Sequence, residues 1–359
     1  MNKIMYVPIL KWKQGEQGAM KALDNEVKKH FIPFIELPAR EYDFKEKKFK
    51  KTIEQHIEKV PKSIVKSWQN YFYFDICNLN TEILSDGTYI YEYFDKNFDN
   101  STNNNCIPVY TPTLNQNINY FCNCIKKDRL LAIRLKFNKI KSLSEYLDII
   151  IKNLHIDKEN MANIDLIIDL EYIKENEEEK ILKLLQSELN SITSLHHWRF
   201  ITLAGTSFPE SLSNVEKNSY CTIPRTFFIL YKNFLRTNKF DRNFLFGDYG
   251  ISNPKTADNI DPRLLSPACS IRYTMKSKYF VVKGKSFKKY GGEQFRNLCE
   301  AIIIRPRVFF GRNFSLGDAY IEDCANGLAK AGNMPTWRRI GTIHHITLLV
   351  KQLSNSLDI

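Results

Sequence analysis

The chain has 359 residues, 43% of them hydrophobic, and its 52 lysines and arginines against 40 aspartates and glutamates give a formal net charge of +12. That is enough apolar material for a large core, in one domain with an addition or in two, and no apolar run reaches bilayer-spanning length, which excludes a helical membrane protein. The basic balance admits nucleic acid, nucleotides or other anions as partners without requiring them, because the lysines are spread out among many Asn, Ile and Tyr residues.

Residues 6–37 read strand, helix, strand: YVPIL, KWKQGEQGAMKALDNEVKKH, FIPFIEL. Ala19, Met20, Leu23 and Val27 make one side of the helix apolar, and both strands are apolar almost throughout, as strands covered on two faces must be. This is a right-handed βαβ unit. Further short apolar runs follow: YFYFDIC (71–77), CIPVYTP (106–112), LLAIRLKF (130–137), IDLIIDL (164–170), RFITLAG (199–205) and NFLFGDYG (243–250). Helical patterns separate them at 44–59, 89–98, 114–126, 141–154, 173–189 and 223–236. The densest basic cluster, KEKKFKK (45–51), falls at the start of the 44–59 pattern and reads as a solvated helix face. Eight strands alternating with helices predict an α/β chain with a (β/α)8, TIM-barrel-like fold; an open doubly wound sheet is the competitor, but no G-x-G-x-x-G turn follows any strand.

After 250 the rhythm breaks. IRYT and YFVVKG alternate like a hairpin, 291–304 reads as a helix, 312–335 is loop-rich, and 337–353 is an amphipathic helix with Ile343, Ile346, Leu349 and Val350 on one side. The expected organisation is a barrel of 1–250 plus 337–359, with 251–336 inserted over its C-terminal mouth. The N-terminus shows no secretory pattern and the eight cysteines are scattered, so a cytoplasmic protein with reduced thiols is expected.

Strand alternation assigns the inward residues. Arg134 and Lys136 oppose an all-apolar face; Asp169 shares a face with Ile167, Asp75 with Tyr73, Glu36 with Phe34, Asp248 with Phe246, and Lys11 with Ile9. Thr206 ends the seventh strand in a Gly-Thr-Ser turn that could hold phosphate. Burying unpaired charge costs several kcal/mol per ion, so the charges at this rim must pair with one another or meet a ligand. Glu36, Asp75, Asp169 and Asp248 are the candidate catalytic carboxylates and oxygen ligands for Mg²⁺ or Mn²⁺, and Lys11, Lys13, Arg134 and Lys136 the phosphate holders. His344, at the start of the last helix, is a further acid–base candidate, with a packing role as the alternative. Tyr249, Arg272 and Trp337, in or beside the insertion, are candidates for stacking on bases and clamping phosphate, with ordinary amphipathic packing as the leading reading of each. No nucleophile elbow or Walker loop is present.

The opening YVPILKWKQGEQGAMKAL with FIPFIEL, then GDYG, IRYT, FSLGDAYI and TWRRIGTIHHI, resemble the beta protein family of phages and bacteria nearly end to end. The resemblance implies one shared architecture and a phage-linked setting, with anti-phage defence as an expectation from that setting. It carries over no chemistry. The residues themselves favour metal-assisted phosphoester hydrolysis on nucleic acid or nucleotides. The alternatives are a non-catalytic sensor or binding module for a nucleotide or a phage or defence-system protein, and a structural phage component. No membrane partner is expected.

Overall fold

The structure, a computed structural model, describes residues 3–79, 81–112, 117–137, 142–238, 240–255 and 266–356. Strands are numbered β1–β13 along the chain. β1 (Tyr6–Lys11), β2 (Phe34–Glu36), β5 (Phe72–Asp75), β6 (Cys106–Tyr110), β7 (Leu131–Lys136), β8 (Ile164–Tyr172), β9 (Ile201–Thr206) and β11 (Phe244–Asp248) follow one another around a closed barrel, every adjacent pair parallel. This is the (β/α)8 architecture. β3 (Tyr42–Asp43) and β4 (Lys48–Phe49) form a hairpin; β10 (Ser219–Pro224), β13 (Lys278–Ser286) and β12 (Ala268–Thr274) form a second sheet in that order.

Side-chain alternation divides the barrel into two cores. Val7, Ile9, Phe34, Tyr73, Ile107, Val109, Ala132, Ile167, Ala204, Leu245 and Tyr249 fill the interior. Leu131, Ile133, Leu135, Leu166, Ile168 and Leu203 face outward against the helices. At the lower end Asp165 is sealed by Arg199 (Nε 2.9 Å), the Tyr73 hydroxyl (2.8 Å) and the Phe200 amide (3.0 Å). At the upper end the register aligns Lys11 with Glu36, Glu36 with Asp75, and Lys136 with Asp169.

The sheet beyond the barrel has its own core with helices Phe295–Ile303 and Leu316–Ala325. Its strand β10 comes from the loop after β9, outside the expected 251–336 bounds, and Trp337 and Ile340 lie in its core as well. The last helix, Met334–Ser356, is shared between the two bodies. Ile343, Ile346, Leu349, Val350 and Leu353 pack on the barrel, as the stripe predicted. The helix is nevertheless buried all round from Ile340 to Val350, because its other side is covered by the second sheet and its helices, so the expected amphipathic helix has no water-facing side there. Close approach is permitted by glycines: a Cβ on Gly317 would lie 2.6 Å from the Ile340 carbonyl oxygen, and one on Gly15 2.6 Å from Arg338 Cγ.

Two local expectations differ. Residues 44–51 are not helical: the Asp43 carboxylate accepts from the Lys45 and Glu46 amides (2.9 and 3.1 Å), Lys47 takes φ +50°, and the chain turns into β4. The helix begins only at Ile53, behind a Thr52–Gln55 capping box. The loop-rich stretch 312–335 contains the helix Leu316–Ala325, capped by Ser315. The starts of the 114–126 and 141–154 patterns, and 256–265 of the insertion, lie outside the described residues. Among the described residues no helix is long and apolar enough to cross a membrane.

Candidate functional site

Arg134 stands at the centre of the barrel's upper end and is 1% exposed. Its Nη1 donates to Glu36 Oε2 and Asp75 Oδ2, both at 2.8 Å, its Nε to Asp169 Oδ2 at 3.0 Å, and its Nη2 to the Tyr249 hydroxyl at 2.7 Å. Its guanidinium carbon lies 4.9 Å from the Phe34 ring centroid. The Tyr249 hydroxyl donates to Asp169, Thr111 to Asp75 at 3.1 Å, and the Cys77 amide to Asp75 at 2.8 Å. Alternation on β2, β5, β7 and β8 thus brings four distant inward residues together, as expected. Arg134 occupies the centre that a cation shared by Glu36, Asp75 and Asp169 would need.

Three carboxylates around one guanidinium leave an excess of negative charge. Burial raises the Glu36 pKa, but Arg134, with Lys11 and Lys136 behind it, outweighs burial and holds the carboxyl below its usual range. At Asp75 burial wins over Arg134, with Glu36 adding to it, so that carboxyl is raised. Burial, with Asp169 and Glu36 nearby, keeps Tyr249 a phenol despite Arg134. Among the described residues, Glu36, Asp75 and Cys77 place one potential ligand atom each within 4.8 Å of one another. Burial, with Asp75 and Glu36 beside it, raises the Cys77 thiol well above its usual value. The neutral thiol is a poor partner for a hard cation, and both carboxylates already accept from Arg134.

Above Arg134 opens a pocket of about 340 Å³ lined by Glu36, Asn78, Arg134, Lys136, Glu171, Pro254 and Lys255. Glu36 Oε1 faces the Asn78 amide at 3.4 Å. Lys136 Nζ lies 3.5 Å from Glu171 Oε1. Glu171 sits where the β8–β9 register breaks between Asp169 and Tyr172, with φ +53°, a left-handed conformation unusual for a residue with a side chain. Bulges of this kind re-aim side chains at barrel rims. The sequence reading missed Glu171, Asn78 and Lys255. Only the position of Glu171, two residues past Asp169 at the end of its strand, hinted at a rim role.

Asp248 does not join this cluster. Its face is that of Phe246, which packs outside the barrel, while the next residue, Tyr249, turns inward. Asp248 accepts instead from the Tyr6 hydroxyl at 2.6 Å and the Gly250 amide at 2.9 Å, and contacts His345 Nε2 at 2.9 Å. His344 also turns away from the mouth: Nδ1 lies 2.9 Å from Asp318 Oδ2 and Nε2 2.7 Å from the Thr274 carbonyl. Asp318 accepts from Tyr273 and Ser315, both at 2.6 Å. Thr274 joins the two arrays, because its hydroxyl meets His345 Nδ1 at 2.8 Å. A buried chain, Tyr6–Asp248–His345–Thr274–His344–Asp318–Tyr273, thereby stitches barrel to insertion. Burial would raise both aspartates, but the facing histidines outweigh it and hold each carboxyl below its usual range. Burial lowers His345 despite Asp248. A neutral His345 then donates from Nε2 to Asp248 and accepts the Thr274 hydroxyl at Nδ1.

The remaining candidates scatter. Thr206 Oγ1 donates to the Ser252 carbonyl at 3.1 Å and accepts the Phe208 amide at 3.0 Å, which closes a loop rather than a phosphate site. Arg272 donates to the Ile251 carbonyl at 2.7 Å, and burial beside Arg338 pushes it down to about 9. Trp337 stacks on Phe295 at 5.0 Å and donates to the Ala331 carbonyl at 2.8 Å, deep in the insertion core. Lys11 stays beside Glu36 in the register and also lines a second, smaller cleft with Glu16 and Tyr249, whereas Lys13 is exposed just before the helix Gln14–Ala22.

The stretches that carry the resemblance now have places. Gly15 admits Arg338, GDYG supplies Asp248 and Tyr249, IRYT supplies Tyr273 and Thr274, FSLGDAYI supplies Ser315 and Asp318, and the last helix supplies both histidines. No curated protein matches the chain at a significant level. The family model described as Beta protein matches residues 6–351, motifs and barrel included, and the chain belongs to that family.

Proposed function

We propose that the mouth pocket binds the phosphate of a nucleotide or nucleic-acid strand and hydrolyses a phosphoester there, assisted by Mg²⁺ or Mn²⁺. One observation carries this reading: an open pocket of about 340 Å³ at the strand ends, where Lys136 and Lys255 face Glu36 and Glu171 over a floor braced by Arg134. The two lysines would hold phosphate. Glu36, which keeps acceptor capacity at Oε1, would share the cation with the substrate. Glu171, held at the rim by its backbone, is the candidate for orienting water. The phage-linked, anti-phage setting implied by the resemblance belongs to the same proposal, since nucleic acid is what that setting would supply. A second reading, a non-catalytic nucleotide sensor, is favoured by the pairing of all three inner carboxylates with Arg134.

Calorimetric titration with nucleoside diphosphates, with and without Mn²⁺, tests both. Hydrolysis predicts Mn²⁺-dependent binding that weakens roughly 10-fold or more in Lys136→Ala, which deprives the phosphate of a charge-assisted hydrogen bond. It also predicts that cleavage of a nucleoside monophosphate or an oligonucleotide, where the bond broken is a phosphoester, stops in Glu171→Gln while binding persists. Metal-independent binding without turnover selects the sensor. Absence of any nucleotide binding removes both.

A further inference from the structure

The hairpin that replaces the expected helix at 44–51 stands beside the pocket. The chain leaves the pocket at Glu36 and enters the hairpin at Arg40, four residues and at most roughly 14 Å later. Arg40 pins it there: Nε and Nη2 both bond the Glu82 carboxylate, and Nη1 donates to the Lys51 carbonyl at 3.1 Å. Glu82 belongs to the loop after β5. The loops following the adjacent barrel strands β2 and β5 thus hold the hairpin on the rim.

Its outer surface combines two chemistries. Tyr42 is 36% and Phe49 44% exposed, although both are aromatic. Their rings meet edge to face at 5.5 Å, and Arg40 covers one side of Phe49 at 3.8 Å, so the rings are already fixed in place. Around them Lys45, Lys47, Lys48 and Lys51 are exposed. From Arg40 to Lys51 six basic residues face three acidic ones, a net charge of +3.

We propose that this hairpin docks a single-stranded nucleic acid, with Tyr42 and Phe49 stacking on bases and the four lysines meeting successive phosphates. Flat rings between cations match a strand whose bases are unstacked and whose backbone repeats a negative charge. An acidic peptide would use the lysines and leave the rings idle. A duplex would hide its bases from them. The inference rests on the reading that the mouth takes a phosphoester, and it names the polymer that would present one.

Fluorescence anisotropy with a short oligothymidylate, its RNA counterpart and a duplex of equal length tests it across a salt series. Single strands are expected to bind better than duplex. Tyr42→Ala with Phe49→Ala should weaken single-strand binding about 10-fold or more. Lys47→Ala with Lys48→Ala, a surface change that leaves the rings in place, should reduce the salt slope by about 1.4, at roughly 0.7 per phosphate on a single strand. Hairpin-dependent binding of either DNA or RNA supports the proposal, and their ratio tells which polymer is preferred. Duplex preference, or variants that bind like the parent, overturns it. The same variants titrated with Mn²⁺ and nucleotide separate the two claims. Oligonucleotide binding through the hairpin without mononucleotide binding in the pocket sinks the pocket reading alone. The converse sinks the hairpin alone.

Discussion

Arg134 and Glu171 show how single residues set the chemistry of the mouth. Arg134 neutralises part of a three-carboxylate cluster with a planar fork that lysine could not reproduce. Glu36 reaches this guanidinium with Oε2 and also lines the pocket. Glu171 adopts φ +53°, where a side chain costs about 1 kcal/mol that glycine does not incur. Strain retained at a rim points to use. Glu171→Gly is therefore expected to leave urea stability unchanged or raise it by up to about 1 kcal/mol, while phosphoester cleavage stops. A clear drop in stability would mean the ion pair with Lys136 matters more than the backbone.

At the scale of elements, the last helix fixes the join between barrel and insertion through paired Asp–His contacts. His345 has Asp248, Arg225 and His344 as its titratable neighbours. Its folded pKa lies below the ordinary 6.5, so the unfolded chain binds the proton first on acidification. That stability is present above pH 6.5 and is lost as pH falls through the folded value. Asp248 and Asp318, both depressed below 3.8, add a loss of the same sign at lower pH. Urea stability should fall from pH 7 to pH 5 with a slope of at most about 1.4 kcal/mol per pH unit from this one proton. His345→Gln, which retains a donor and an acceptor, should flatten that segment. An equal slope in the variant would assign the titration elsewhere. Much at this scale was legible in sequence: doubly covered strands read as continuous apolar runs, and the charged face of β7 identified Arg134. Asp248 was misplaced because Gly247 has no side chain to mark the inner face, and the tyrosine that does mark it comes one residue later. The 44–51 hairpin was hidden because lysine and glutamate favour helices, whereas the Asp43 turn depends on a positive φ at Lys47. The partners of the histidines come from Thr274 and Asp318, about seventy and twenty-six positions away, beyond any local pattern.

For the whole molecule, one helix lies in both hydrophobic cores, so the barrel and insertion should lose structure together. Trp337 reports on the insertion core, whereas Trp12, Trp68 and Trp198 report on the barrel. In urea, fluorescence of a variant retaining Trp337 alone should follow the same transition as far-ultraviolet dichroism of the whole chain. Separate midpoints would show that the insertion is an independent unit.

The way β1 closes the ring bears on synthesis at the ribosome. β1 pairs with β2 on one side and with β11 on the other, more than two hundred residues downstream. Until that distant segment has emerged, the nascent chain carries open sheet edges, which invite pairing with other chains. The helix at 334–356 emerges later still, and only then can both hydrophobic interiors be covered. Chaperone capture of ribosome-bound intermediates should therefore persist until translation has passed that helix.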